Sequence, residues 1–318
     1  MNKVNYLKFL RISGVILFIY ILFRIDLGEL AAVFKKINLA YYLTGFSFLI
    51  FWVLARTLKW KKLADSVGAK IPAGILLQIM AKGVFLGVIT PAKIGEFWRA
   101  KYLSDSAAIS KGRAFYTAFI DRLMDLLVIV FVAVIGLPII YLRFGAGVSW
   151  QLYVLAIVFL IILSFVFFQK IGLRGIFKLF AKFFVPASWQ GKTDAFLSDF
   201  DSSFKALKLS VFLETMAYSF FHYLVAVTAY YFFALALGIN IQFLYLFLVV
   251  AIIWLILAIP ITFLGLGTRE AGFIYFFAII GVSSSFGVAL SLLVLFSNIL
   301  LSVPGAILFL NPKQNHGK

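Results

Sequence analysis

Ionisable side chains set inside apolar sequence are the residues of this chain that could do chemistry, because a charge in hydrocarbon is expensive and is kept only where it is used. The first group follows an apolar segment, residues 73–92, that is itself interrupted by Gln78, Lys82, Gly83 and Gly87. It reads Thr90-Pro91-Ala92-Lys93-Ile94-Gly95-Glu96-Phe97-Trp98-Arg99. Pro91 and Gly95 break the helix, and the freed backbone N–H groups can face an anion. Lys82, Lys93 and Arg99 add positive charge, and Glu96 counters one of them. An interfacial loop with snorkelling lysines has the same composition, so both readings stand.

The second group is Asp121-Arg122-Leu123-Met124-Asp125. Asp121 and Asp125 share one helix face at this spacing, while Arg122 is adjacent in sequence and points elsewhere. The pair could line a polar cavity in which Arg122 meets a phosphate. It could instead form a structural ion pair with Arg113 or with a basic residue of another helix. A metal-held diphosphate is a third reading, but two carboxylates alone are a poor metal site, so no metal or other cofactor is expected.

The third group runs from Pro260 to Glu270. Gly265 and Gly267 let the backbone turn sharply beside Arg269 and Glu270, between stretches of lipid-grade hydrophobicity. Pro91, Gly95 and Glu96 correspond loosely in spacing to Pro260, Gly267 and Glu270. Broken segments in two halves are a sequence pointer to an inverted repeat around a midplane site. Glu214 and His222 lie eight residues apart, on one helix face; a lone intramembrane histidine reads first as a hydrogen-bonded packing residue.

The elements that must position these residues are transmembrane helices. Of 318 residues, 64% are hydrophobic and 13% charged, against about 25% charged in soluble domains. Near-continuous apolar runs of spanning length exclude a soluble fold and do not alternate as barrel strands do. Seven spans are expected, at about 12–23, 39–58, 114–140, 149–168, 209–238, 241–262 and 286–310. Two broken segments, 73–92 and 264–281, either cross or re-enter. The expected fold is therefore an all-α polytopic membrane protein with about seven to nine transmembrane helices and a possible inverted repeat. It forms a single domain, 1–318, with halves at about 1–140 and 149–310.

Residues 24–38 read as a short interfacial helix. Residues 169–208 carry seven Lys and Arg against three Asp and read as an amphipathic cytoplasmic segment on the membrane surface. The net charge of +17 is then positive-inside orientation rather than nucleic-acid binding. A cytoplasmic N-terminus in the inner membrane of a bacterium or archaeon follows. There is no cysteine, hence no disulfide framework, and no nucleotide-binding motif for ATP-driven pumping.

Taken in order, Thr90 to Glu96 with Arg99, Asp121-Arg122 with Asp125, and Gly265-Leu266-Gly267-Thr268-Arg269-Glu270 resemble the pattern of a known family. This is the transmembrane family typified by the membrane half of lysylphosphatidylglycerol synthase, the flippase-like proteins. The resemblance covers nearly the whole chain. The chain stops about eight residues after its last span, so the soluble synthase domain is not expected. The resemblance implies lipid translocation or lipid binding rather than aminoacyl transfer. Lys93, Arg99, Arg122 and Arg269 would then contact phosphate. Glu96, Asp121, Asp125 and Glu270 would balance them or meet a cationic headgroup, and Pro91, Gly95, Gly265 and Gly267 would permit the broken helices. The expected partners are membrane lipids, with a separate lipid-modifying enzyme or glycosyltransferase as a further possibility. The alternatives are a membrane-embedded lipid-modifying transferase and an accessory anchor for a glycosyltransferase.

Overall fold

The structure, a computed structural model, describes residues 14, 16–144, 154, 157, 158, 161, 193–258 and 262–311. The expected span 149–168 and the start of the amphipathic segment lie almost wholly outside these residues, as does Pro260. Every regular element among the described residues is helical. Among the described residues, four helices are long and apolar enough to cross a membrane, and they alternate with shorter ones.

The helices are α1 (residues 16–24), α2 (Leu27–Lys35), α3 (Leu39–Ser66), α4 (Ala73–Ile89), α5 (Arg99–Ala107) and α6 (Lys111–Phe144). They continue as α7 (Thr193–Lys205), α8 (Leu209–Ala236), α9 (Phe243–Ala258), α10 (Thr268–Ile279) and α11 (Ser284–Leu310). Short 3-10 segments, Pro91–Trp98 and Phe263–Gly265, follow α4 and α9. At 17 and 16 residues, α4 and α9 are only about 25 Å long, short of a hydrocarbon core of about 30 Å. Of the span expected at 241–262, the described helix is Phe243–Ala258.

The order of elements occurs twice. A short amphipathic helix leads to a 28-residue helix, α3 or α8. A turn with a left-handed glycine follows, Gly68 or Gly238. Then come the short apolar helix, a break, a short helix and a long closing helix. The interval of 170 residues separates Leu39 from Leu209, Gly68 from Gly238 and Ala73 from Phe243. Each break contains a non-glycine residue with positive φ, Lys93 at 54° and Leu264 at 53°. This register corrects the expected one: Gly95 corresponds to Gly265 and Arg99 to Arg269, not Glu96 to Glu270.

The two 28-residue helices run antiparallel. The Asn38 side chain caps α3 by accepting from Ala40 N and Tyr41 N at 3.0 and 3.2 Å, and its own N–H donates to Ala236 O at the far end of α8 (2.8 Å). Farther along, Phe48 stacks on Phe232, Phe51 meets Phe221, and Lys62 pairs with Glu214. Residue numbers therefore rise along one helix and fall along the other. Each short helix packs on the closing helix of the opposite half, α4 on α11 and α9 on α6. The breaks after α4 and α9 touch one another.

Two sequence expectations change here. The span placed at 39–58 continues as one helix to Ser66, so Lys59 lies within the helix rather than beyond it. The described end of the amphipathic segment, α7, is docked on α6 and buries Phe196, Leu197, Phe200 and Phe204 against the protein rather than against lipid.

Candidate functional site

The first break is held by its own residues. The Thr90 hydroxyl donates to Leu86 O (2.5 Å) and accepts from Gly95 N (2.7 Å), bridging the interrupted helix. A Cβ on Gly95 would lie 2.2 Å from Leu86 O, so only glycine lets the chain fold back this closely. Pro91 opens the 3-10 turn. The turn carries Glu96 and Arg99 inward, both nearly inaccessible.

There they meet α3 and α6. Arg56 donates to Glu96 at 2.5 Å. Arg122 also reaches Glu96, at 2.8 Å. Arg99 pairs with Asp121. Lys59 reaches Asp121 at 2.7 Å and pairs with Asp125 as well. From α8, the Ser219 hydroxyl donates to Asp125 at 3.0 Å, and His222 Nε2 lies 3.4 Å from the same carboxylate. His222 Nδ1 donates to Ser219 O (2.6 Å), and its ring stacks on Trp52. Both enclosed guanidiniums lie over indoles, Arg56 on Trp52 at 5.1 Å and Arg99 on Trp60 at 4.8 Å, which adds cation–π attraction in a desolvated setting.

The charges do not balance. Arg56, Lys59, Arg99 and Arg122 face Glu96, Asp121 and Asp125. Four cations against three carboxylates leave one positive charge over, where Coulomb attraction is weakly screened. Arg56 Nε and Arg99 Nε are buried donors with no acceptor. Arg122 is the accessible member, with 29% of its side chain exposed, against 1% for Arg56 and Arg99. Lys93 is exposed and lies on the same 3-10 segment as Glu96.

The second break is built differently. Gly267 (φ 82°) begins α10, and its N–H donates to Glu270 Oε2 at 2.6 Å, so Glu270 caps the helix. Glu270 Oε1 takes Arg269 at 3.2 Å and the Ser291 hydroxyl at 2.5 Å, and Arg269 Nε also donates to Ser291. Gly265 has φ 74°, which a side chain would strain. This is a closed, neutral pair beside the charged network.

Of the eight charged residues expected from sequence, Glu96, Arg99, Asp121, Arg122 and Asp125 thus form one network. Lys93 is exposed on the segment that carries Glu96, and Arg269 with Glu270 forms a second cluster. Several details differ from expectation. Glu96 is paired with Arg56 and Arg122 rather than with Lys82 or Arg99. Lys82 sits over the Tyr102 ring at 5.0 Å. Arg122 does not point away from its neighbours: its long side chain brings it to 3.7 Å from both Asp121 and Asp125. For Asp121 the pairing is with basic residues of other helices, Lys59 and Arg99, which is the second of the two pairings expected, and not with Arg113. Glu214 is half exposed on Lys62, apart from the buried His222.

Arg56, Lys59 and Ser219 were not foreseen as site residues. The signal was helical periodicity: Arg56, Lys59, Trp60 and Leu63 are all buried, while Lys62 and Asp65 face outward. A cluster of cations at the end of an apolar run looks like a membrane boundary until it is divided by helix face.

Apolar helices of spanning length, with a charge cluster enclosed between helices, define an integral membrane protein with a buried polar cluster. The family described as the lysylphosphatidylglycerol synthase TM region matches residues 8–305, and the chain belongs to it. UPF0104 membrane protein MJ1078 of Methanocaldococcus jannaschii is 28% identical over 244 residues, 73% of this chain and 96% of that one. UPF0104 membrane protein MJ1595 of the same organism is 27% identical over 131 residues, 41% of this chain and 39% of that one. No solved structure matches the chain.

Proposed function

We propose that this protein moves a phosphate-bearing membrane lipid, or a lipid-linked precursor, between the leaflets of a cytoplasmic membrane, without chemistry of its own. One observation carries the reading: a buried network with one positive charge in excess and spare guanidinium donors, placed where the breaks of two antiparallel halves meet. A headgroup charge at the bilayer centre costs at least about 2.5–3.5 kcal/mol. A fixed positive site lowers that barrier for an anion. On this reading α4 and α9 with their breaks are re-entrant or crossing segments among seven to nine spans. The basic helix ends and the N-terminus face the cytoplasm. Arg122 and Lys93 are the phosphate contacts, because they are the accessible cations; Arg56, Lys59 and Arg99 hold the field in place.

The test is leaflet exchange of labelled anionic, zwitterionic and cationic lipids in liposomes containing the purified protein. Protein-dependent exchange is expected, with the anionic lipid preferred, and Arg122→Gln should lower its rate at least about tenfold. Undiminished exchange by both Arg122→Gln and Arg269→Gln would overturn the assignment.

A further inference from the structure

A cavity of about 550 Å3 opens at the basic end of the bundle, where α7 meets the end of α3 and the starts of α6 and α8. Arg113, Tyr116 and Lys208 line it together with Asp65 and three serines. Asp65 is held by Lys61 at 2.8 Å, whereas Arg113 and Lys208 make no ion pair among the described residues. The serine hydroxyls already donate to backbone carbonyls, Ser66 to Leu63 O and Ser202 and Ser203 to Asp199 O. Tyr116 is 1% exposed, and its hydroxyl is a buried donor without an acceptor. Lys208 precedes the 28-residue helix α8 and gives it no side-chain cap, so the first N–H groups of α8 also lack a side-chain acceptor beside the cavity. The charges left unpaired in the lining, Arg113 and Lys208, are both cations.

This cavity is separate from the buried network. Arg113 precedes Asp121 by eight residues on α6, about 12 Å along the helix. Between the two levels the Trp60 indole donates to Thr117 at 3.0 Å, with both side chains enclosed.

We propose that the cavity is a second anion site, which binds a phosphate group through Arg113, Lys208, the Tyr116 hydroxyl and the start of α8. Its volume admits a phosphate with a small substituent. The phosphate can belong to a lipid headgroup at the interface or to a soluble phosphate compound. The site does not depend on whether the protein moves lipid.

The test is calorimetric titration of the full chain in phosphatidylcholine nanodiscs with two probes, inorganic phosphate and dihexanoyl phosphatidic acid. Wild type should bind at least one. The double variant Arg113→Gln/Lys208→Gln should weaken that binding about tenfold or more, and Tyr116→Phe about fivefold. Arg113→Lys, which keeps the charge, should recover most of the loss of the single Arg113→Gln change, showing that the effect is not misfolding. Arg122→Gln, in the other site, should leave cavity binding unchanged, so failure of the transport assignment and failure of this one are told apart. Binding of inorganic phosphate alone supports a soluble ligand, and binding of the lipid alone supports a headgroup. Equal binding by the double variant and wild type, or no binding of either probe by wild type, overturns the proposal.

Discussion

Asp121 shows how unevenly the charges of the network are committed. It is fully enclosed, with Lys59 and Arg99 paired to it and Arg56 and Arg122 within 4 Å. Removing one partner from such a cluster leaves a buried charge without compensation, which costs far more than the pair contributes in net terms. Arg99→Gln should therefore destabilise the protein by about 3–5 kcal/mol, read as a lower Tm in detergent. Arg122→Gln should lower Tm less, since Arg122 keeps 29% of its side chain exposed whereas Arg99 keeps 1%. Equal losses of Tm in the two variants would contradict this division between residues that hold the network and a residue that can meet a ligand. The acidic members and Arg99 were legible in the sequence, because charges in apolar surroundings stand out. Arg56 and Lys59 were not, since at the end of an apolar run a cation costs little and needs no partner. Only the continuation of α3 past them shows that they are inside.

At the scale of elements, the breaks decide where those charges go. The first depends on an approach that a single methyl group would prevent. Gly95→Ala would place Cβ 2.2 Å from Leu86 O and 2.7 Å from Thr90 Oγ1, so the 3-10 segment must move and Glu96 must withdraw from Arg56 and Arg122. The expected outcome is a protein that still inserts but has a Tm lowered by several degrees and reduced lipid exchange. Wild-type values for both would show that the break tolerates relaxation. Thr90→Val, which removes the hydroxyl bridging Leu86 O and Gly95 N while keeping the shape, should weaken the same turn in the same assays, by about 1–2 kcal/mol. The positions of both breaks could be read from proline and glycine in apolar runs. Their contents could not: Glu270 was grouped with the ligand-facing acids, yet it accepts from Gly267 N and caps α10. A carboxylate three residues after a glycine suits either role, and only the direction of the local backbone separates them.

At the scale of the whole molecule, the antiparallel course of α3 and α8 relates the two halves. Sequence alone pointed to a repeat but misplaced its register, because the eye aligns prolines and acids. The constant interval is carried instead by the glycine turns and helix starts, which sequence pattern marks weakly. The course of the two helices can be tested directly, since the chain has no cysteine and introduced pairs react without background. Cysteines at Phe48 and Phe232, whose rings lie 5.6 Å apart, and at Phe51 and Phe221, 6.0 Å apart, should be joined by a short thiol-bridging reagent. A pair at Phe48 and Phe221 should not, whereas a parallel arrangement would reverse that selectivity. The same bridges test motion. If lipid moves by one half rocking on the other about this contact, a reducible bridge between α3 and α8 should stop leaflet exchange, and reductant should restore it. Full exchange in the bridged protein would place the moving surfaces elsewhere, at the contacts of α4 with α11 and α9 with α6, where each broken helix lies against the opposite half.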